Sequence, residues 1–188
     1  MSFPKPYADR VAKLRVPFGF VMVAAFAWLA APDGISLTAG LPVAFAGLAL
    51  RAWAAGHLEK NQDLARSGPY AHVRNPLYLG TLIVAAGFAI ASRRWELAVL
   101  FALVFGLVYL PVVELEEQHL RKLFPSFDAF ARTVPKLLPR LTPLPAPPGN
   151  HFRWSLYRRN REYEALCGFL TGAAVLLWKA LLWKARRA

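Results

Sequence analysis

Five apolar blocks, with charge gathered between them, decide what this chain can become. They run over Val16–Ala31, Leu37–Gly56, Leu77–Ala91, Trp95–Val113 and Ala165–Trp183, with Arg51 near the end of the second and Lys179 inside the fifth. A hydrocarbon core of about 30 Å takes about 20 helical residues, so Leu37–Gly56 and Trp95–Val113 are comfortable spans. The shorter blocks can cross with local thinning of the bilayer or with flanking Lys and Arg reaching back to the headgroups. No block alternates with a period of two, which argues against a membrane β-barrel. The fold expected is all-α: a polytopic helical integral membrane protein with about five transmembrane or membrane-embedded helices.

The balance of residue types narrows the partners. Hydrophobic residues make up 56% and charged residues 18% of the 188 residues, against about 25% charged in ordinary soluble chains. Extended disorder is excluded by that much apolar surface. Cys167 is the single cysteine; it can form no internal bridge, and its place in an apolar block reads as packing. Lys and Arg total 23 against 11 Asp and Glu, a net charge of +12. Such an excess fits nucleic-acid binding or the crowding of cations into cytoplasmic loops. The cations lie almost wholly between apolar blocks, so membrane lipids are the expected partners, with no nucleic acid and no obligate protein partner evident.

The distribution of those cations orients the chain. Four lie in the N-terminal arm before Val16, four more are Arg51, Lys60, Arg66 and Arg74, and nine fall between Glu114 and Glu164, seventeen of the 23 in all. The N-terminus is therefore expected in the cytoplasm, and in a bacterium the membrane would be the inner one. Val16–Ala31 follows a basic arm as a signal peptide does, but Pro32 and the bulky Trp28 make a poor cleavage site, so it reads as a retained helix. Lys184, Arg186 and Arg187 fit badly if the last block crosses fully, which leaves an interfacial or re-entrant course open. Trp53, Trp95, Trp154 and Trp183 sit at block ends, as interfacial belts require. Pro139–Gly149, rich in proline, reads as a stiff linker.

Polar chemistry is concentrated in two segments beside membrane helices. In the first, Ser67-Gly68-Pro69 is a turn signal, and Asn75-Pro76 leads into the third helix with Pro76 suited to its first position. Tyr70, Arg74 and Asn75 are thereby held near a helix start, where free N–H groups favour anions. The second begins Glu114-Leu-Glu-Glu after the fourth block; on a continuing helix Glu114 and Glu117 share a face, and Glu117 can pair with Arg121. Acids at a membrane exit are costly unless paired. His57, His72, His119 and His151 lack metal-ligand spacing, so no metal site is expected. No Gly-x-Gly-x-x-Gly, Walker loop or nucleophile elbow occurs.

Ser-Gly-Pro-Tyr-x-x-x-Arg-Asn-Pro-x-Tyr-x-Gly over Ser67–Gly80 resembles the signature of isoprenylcysteine carboxyl methyltransferases and the related phospholipid methyltransferases. Glu116-Glu117-x-x-Leu120, then Phe124-Pro-x-Phe127-x-x-Phe130 and Val134-Pro135 through Pro139, resembles their second block. The resemblance covers about Leu37–Leu141 and implies one membrane methyltransferase domain over 1–188, with a family core at 37–141 followed by the linker and C-terminal helix over 142–188. It also implies an S-adenosyl-L-methionine pocket on the cytoplasmic side. Residue for residue, the cofactor would be held by Gln62, Asp63, Leu64, Ala65, Tyr70, Asn75, Pro76, Leu77, Tyr78, Glu116 and Glu117. A methyl group would pass to a lipidic or apolar small acceptor, a carboxylate or an amine, by in-line displacement. Two positions depart from the pattern: Asn75 stands where the family has His, and Val112 where the prenylcysteine enzymes have a substrate-binding Arg. Arg74, and Arg161 with its neighbours Arg158 and Arg159, are the substituting cations considered. The competing readings are an NADPH-dependent sterol-type reductase and a membrane protein that keeps the fold without catalysis.

Overall fold

The computed structural model describes residues 3–145 and 151–185. Among the described residues the chain is helical and without strands, a helical membrane protein. Helix α1 (Lys5–Leu29) begins in the basic arm, well before the apolar block that announced it. It bends by 49° between Pro6–Leu14 and Pro17–Leu29, because the Pro17 ring removes a backbone donor and crowds the preceding turn. Helix α2 (Gly34–Ala55) starts on a reciprocal cap: Asp33 Oδ1 accepts from the Ser36 N–H at 2.8 Å, and Ser36 Oγ accepts from the Asp33 N–H at 3.0 Å. Ser36 Oγ also donates to the Ala91 carbonyl at 2.9 Å, which ties the start of α2 to the end of α3 (Pro76–Ser92).

The α2–α3 pair is the most extensive helix contact in the molecule, and small residues make it possible. A Cβ on Gly47 would lie 2.6 Å from the Val84 backbone nitrogen and 2.7 Å from the Gly80 oxygen. One on Gly80 would lie 2.8 Å from the Gly47 oxygen, and Gly40 and Gly87 meet the facing backbone in the same way. Within a bilayer, where burying apolar surface against another helix gains little, this close backbone approach is what holds helices together.

Helix α4 (Trp95–Val104) passes through a π-turn at Phe105–Tyr109 into α5 (Leu110–Leu123), one apolar helix of 29 residues. The widened turn has a local cause. Pro111 has no N–H to donate, and the Leu110 N–H reaches back to the Phe105 carbonyl instead of forming the ordinary bond. Short helices α6 (Phe127–Thr133) and α7 (Trp154–Arg159) precede α8 (Tyr163–Ala185).

Gly34–Ala55, Trp95–Leu123 and Tyr163–Ala185 are each long and apolar enough to cross a membrane, and the two limbs of α1 make a fourth if they form one bent span. At 17 residues, α3 reaches only about 25 Å. The last block is thus one unbroken helix rather than a re-entrant segment. Large side chains such as Phe20, Trp28, Trp95 and Leu181 are exposed, a surface suited to lipid. Cys167 does not pack as expected; it lies on the exposed side of α8. Residues 139–145 are non-helical, as their prolines require; Pro147, Pro148, Gly149, Arg186 and Arg187 lie outside the described residues.

Candidate functional site

The site forms where α2 ends and α3 begins. Gly68 adopts a φ of 56°, a conformation glycine takes without steric cost, and opens a 3₁₀ turn over Gly68–Ala71 that carries Tyr70 into the interior. The segment after α6 runs back along this turn. The Arg74 N–H donates to the Pro135 carbonyl at 2.9 Å, the Arg140 N–H to His72 at 3.0 Å and the Leu144 N–H to Ala71 at 3.0 Å. The turn is thereby laid beside a stretch that lies 61 to 73 residues further along the chain.

Glu117 clamps them together. Its carboxylate accepts from Arg74 Nε at 3.0 Å and from Asn75 Nδ2 at 3.0 Å, and Lys136 Nζ lies 3.3 Å away. Arg74 also donates to the carbonyls of Ala131 at 2.5 Å and Val134 at 2.9 Å. Glu117 does not pair with Arg121 as helical spacing suggested; Arg121 binds Asp128 at 2.7 Å. Glu117 faces inward and is buried, so it is the partner for the interior arginine, while Arg121 is half-exposed. Asn75 caps α3 by position only: its amide is spent on Glu117 and on the Lys136 carbonyl at 3.2 Å.

Beside this clamp lies a cavity of about 410 Å³, a size suited to a nucleoside-scale ligand. Its wall includes Asp63, Leu64, Ala65, Tyr70, Arg74, Asn75, Glu116 and Glu117. Gln62, Pro76, Leu77 and Tyr78 lie outside that wall; Tyr78 stands behind it and donates to Glu116 at 2.9 Å. Arg161 is away from the cavity, exposed and paired with Glu164. Val112, at the position of the family arginine, is buried against the cavity. The phenylalanines of the second motif form an apolar floor, with Phe127 and Phe130 packed on Leu64 and Val134. Lys60, Asn61 and His119 also face the cavity; sequence spacing offered no signal for them.

Tyr70 is 6% exposed, and its hydroxyl takes no hydrogen bond from the described residues. Burial, then the nearby carboxylates of Glu116 and Glu162, push its phenol well above the usual range, against a smaller opposing pull from Arg51. That pair was also invisible in the sequence. Arg51 binds Glu162 through Nε at 2.6 Å and through Nη2 at 3.0 Å, and donates to Thr81 at 2.5 Å and to the Leu77 carbonyl at 3.2 Å. It pins the start of α8 to α2 and α3.

The profile of the phospholipid methyltransferase family matches residues 37–126, the stretch that builds the α2–α3 pair, the turn and the acidic helix. That stretch is just under half of the chain, and over it the sequence resembles that family. The family falls within the isoprenylcysteine carboxyl methyltransferase-like group. Two curated relatives are the nickel-cobalt-cadmium resistance protein NccN of Alcaligenes xylosoxydans xylosoxydans and the cobalt-zinc-cadmium resistance protein CzcN of Cupriavidus metallidurans. Each is 35% identical over 94 residues, covering 49% of this chain and 44% of the relative. The chain therefore matches less than half of the length of these relatives. No solved structure matches it.

Proposed function

We propose that the chain transfers a methyl group from S-adenosyl-L-methionine to a lipidic or membrane-embedded acceptor, a carboxylate or an amine, at the cytoplasmic face of the membrane. The observation that carries this is the cavity itself. It is built from both family motifs, and it offers two carboxylates, Asp63 and Glu116, that form no ion pair among the described residues. A cationic ligand is what such a wall favours. Tyr70, on the same wall, adds an aromatic ring and a hydroxyl that can bond to a ligand.

When bound, the cofactor supplies an electrophilic methyl group. Everything else falls to this chain. Glu116 and Asp63 hold positive charge, and the Tyr70 ring offers an aromatic face to it. Phe127, Phe130 and Val112 exclude water, so that catalysis is chiefly positioning. A carboxylate acceptor needs only orientation. An amine must lose a proton first, and Glu117 is committed to Arg74, Asn75 and Lys136, so His119 on the cavity wall is the available base.

The test is calorimetric titration of the detergent-purified full chain with S-adenosylhomocysteine, comparing wild type with Glu116→Ala. Micromolar binding that disappears in the variant supports the reading. Silence with both S-adenosylhomocysteine and NADPH ends it and leaves a non-catalytic membrane protein; NADPH binding alone moves it to the reductase class.

A second reading concerns setting rather than chemistry. The two relatives are named as resistance proteins for nickel, cobalt and cadmium and for cobalt, zinc and cadmium, and we infer a role in tolerance of such metals here. Deleting the chain should lower growth on cobalt or cadmium, and Glu116→Ala should do the same if methylation is the route. Unchanged growth of the deletion strain refutes it.

A further inference from the structure

A second concavity lies at the other end of the helices. The cavity described above is at the C-terminus of α2 and the N-terminus of α3; this groove, of about 980 Å³, sits at the N-terminus of α2 and the C-terminus of α3. The 22 residues of α2 separate the two by about 33 Å, so they open toward opposite membrane faces. The floor is apolar: Leu37 from α2 and Leu177, Ala180 and Leu181 from α8.

The rim is cationic, with Arg93, Arg94 and Lys184 against the single acid Asp33. Arg93 is paired with Asp33. Arg94 Nε donates to the Leu29 carbonyl at 2.9 Å, and among the described residues neither Arg94 nor Lys184 has an acidic partner. Lys179, one turn below, donates to the Ala27 and Trp28 carbonyls at 2.7 and 3.1 Å, so it secures α1 and adds charge to the same end. Lys184 is one of the cations that fitted the charge distribution badly. With the N-terminus in the cytoplasm, as the charge distribution predicts, and α8 crossing as one unbroken helix, Lys184 would lie at the membrane face where positive residues are normally sparse. Cations converging there repel one another unless an anion sits among them.

We propose that this groove binds a phospholipid with an anionic headgroup from the far leaflet. Its phosphate would lie between Arg94 and Lys184, and an acyl chain would lie on Leu37, Leu177 and Leu181. Basic pockets between membrane helices recognise lipid headgroups in this way, and the apolar floor beneath the charges is what separates a lipid from a free anion. The inference rests on the helix arrangement and is independent of the methyltransferase reading.

Native mass spectrometry of the full chain, released from mixed vesicles of phosphatidylglycerol and phosphatidylcholine, tests it. Wild type should retain phosphatidylglycerol over phosphatidylcholine by about tenfold. Arg94→Gln with Lys184→Gln, which leaves the Arg93–Asp33 pair intact, should cut that retention about tenfold. Ala180→Trp, which fills the floor and keeps every charge, should displace the lipid as well. Equal retention of the two lipids by wild type, a comparison that needs no variant, overturns the proposal. So does undiminished retention in the double variant. Complete displacement by millimolar inorganic phosphate also overturns it, because the groove is then a simple anion site.

Discussion

The adjacent glutamates Glu116 and Glu117 should fail in different ways when replaced. Glu117 and Arg74 leave only 8% and 12% of their side chains exposed, so solvent does little to relieve either charge once its partner is gone. Breaking a buried pair from one side costs about 3–5 kcal/mol, chiefly the penalty of the stranded charge. Two details place Glu117→Ala near the lower end. Arg74 keeps its bonds to the Ala131 and Val134 carbonyls, and Lys136, with 34% of its side chain exposed, contributes a screened interaction of at most about 1 kcal/mol. A loss of about 3 kcal/mol is therefore expected. Glu116 is exposed and holds one hydrogen bond from Tyr78, so Glu116→Ala should cost less than about 1 kcal/mol while ligand binding fails. Removing both charges with Glu117→Leu and Arg74→Met strands neither, and the double variant should cost less than the sum of the singles by about 2 kcal/mol or more. Unfolding in mixed micelles with increasing dodecyl sulfate, followed by tryptophan fluorescence, reads wild type, these variants and the single variants Glu117→Leu and Arg74→Met. Strict additivity, or a Glu117→Ala protein as stable as wild type, would show that the clamp does not hold the two motifs together.

Three further outcomes follow from the same geometry. Tyr70 has its folded-state phenol raised above the ordinary value of 10.0, so it contributes stability below about pH 10 that is lost as pH climbs toward the folded value; the drop in unfolding midpoint between pH 9.5 and 11 should be shallower in Tyr70→Phe, and identical slopes would refute its burial. Gly47→Ala puts a methyl group 2.6 Å from the Val84 backbone nitrogen and should destabilise by about 1–3 kcal/mol, measured in the same titration against Gly106→Ala, where a Cβ meets nothing within 4 Å. Glu162→Leu strands the Arg51 guanidinium and should cost about 3 kcal/mol, with restoration of most of that loss in Glu162→Leu combined with Arg51→Met; no restoration would mean that the pair is not coupled.

What the sequence made legible was the part governed by local rules. Apolar run lengths give α2, the α4–α5 helix and α8, and Asn75-Pro76 marks the start of α3. The start of α1 was hidden, because Lys5–Arg15 is amphipathic rather than apolar and Pro17 reads as a boundary where the helix merely bends. Pairings were legible only at helical spacing, and there they misled: Arg121 stands four residues from Glu117, yet the true partner, Arg74, is 43 residues away. Arg51 and Glu162 are separated by 111 residues, and no local pattern links them. The glycines at 40, 47, 80 and 87 carry a seven-residue rhythm in two adjacent blocks, a signal that is physical but meaningful only once the blocks are known to face each other. Both family motifs could be read, but the clamp that joins them could not.

The glycine-lined contact between α2 and α3 also limits how a membrane-borne molecule can reach the cavity. Two backbones in direct touch leave no side chains to rotate aside, so that side of the bundle behaves as a fixed wall on which no gate can hang. On another side the first limb of α1 places Ala12 on the cavity and rests on the π-turn through a hydrogen bond from the Tyr7 hydroxyl to the Leu107 carbonyl at 2.7 Å. That limb is bent at Pro17, and besides the one hydrogen bond it is held by Val11, which packs with Met22 on Val104 and Val108 beside the widened turn.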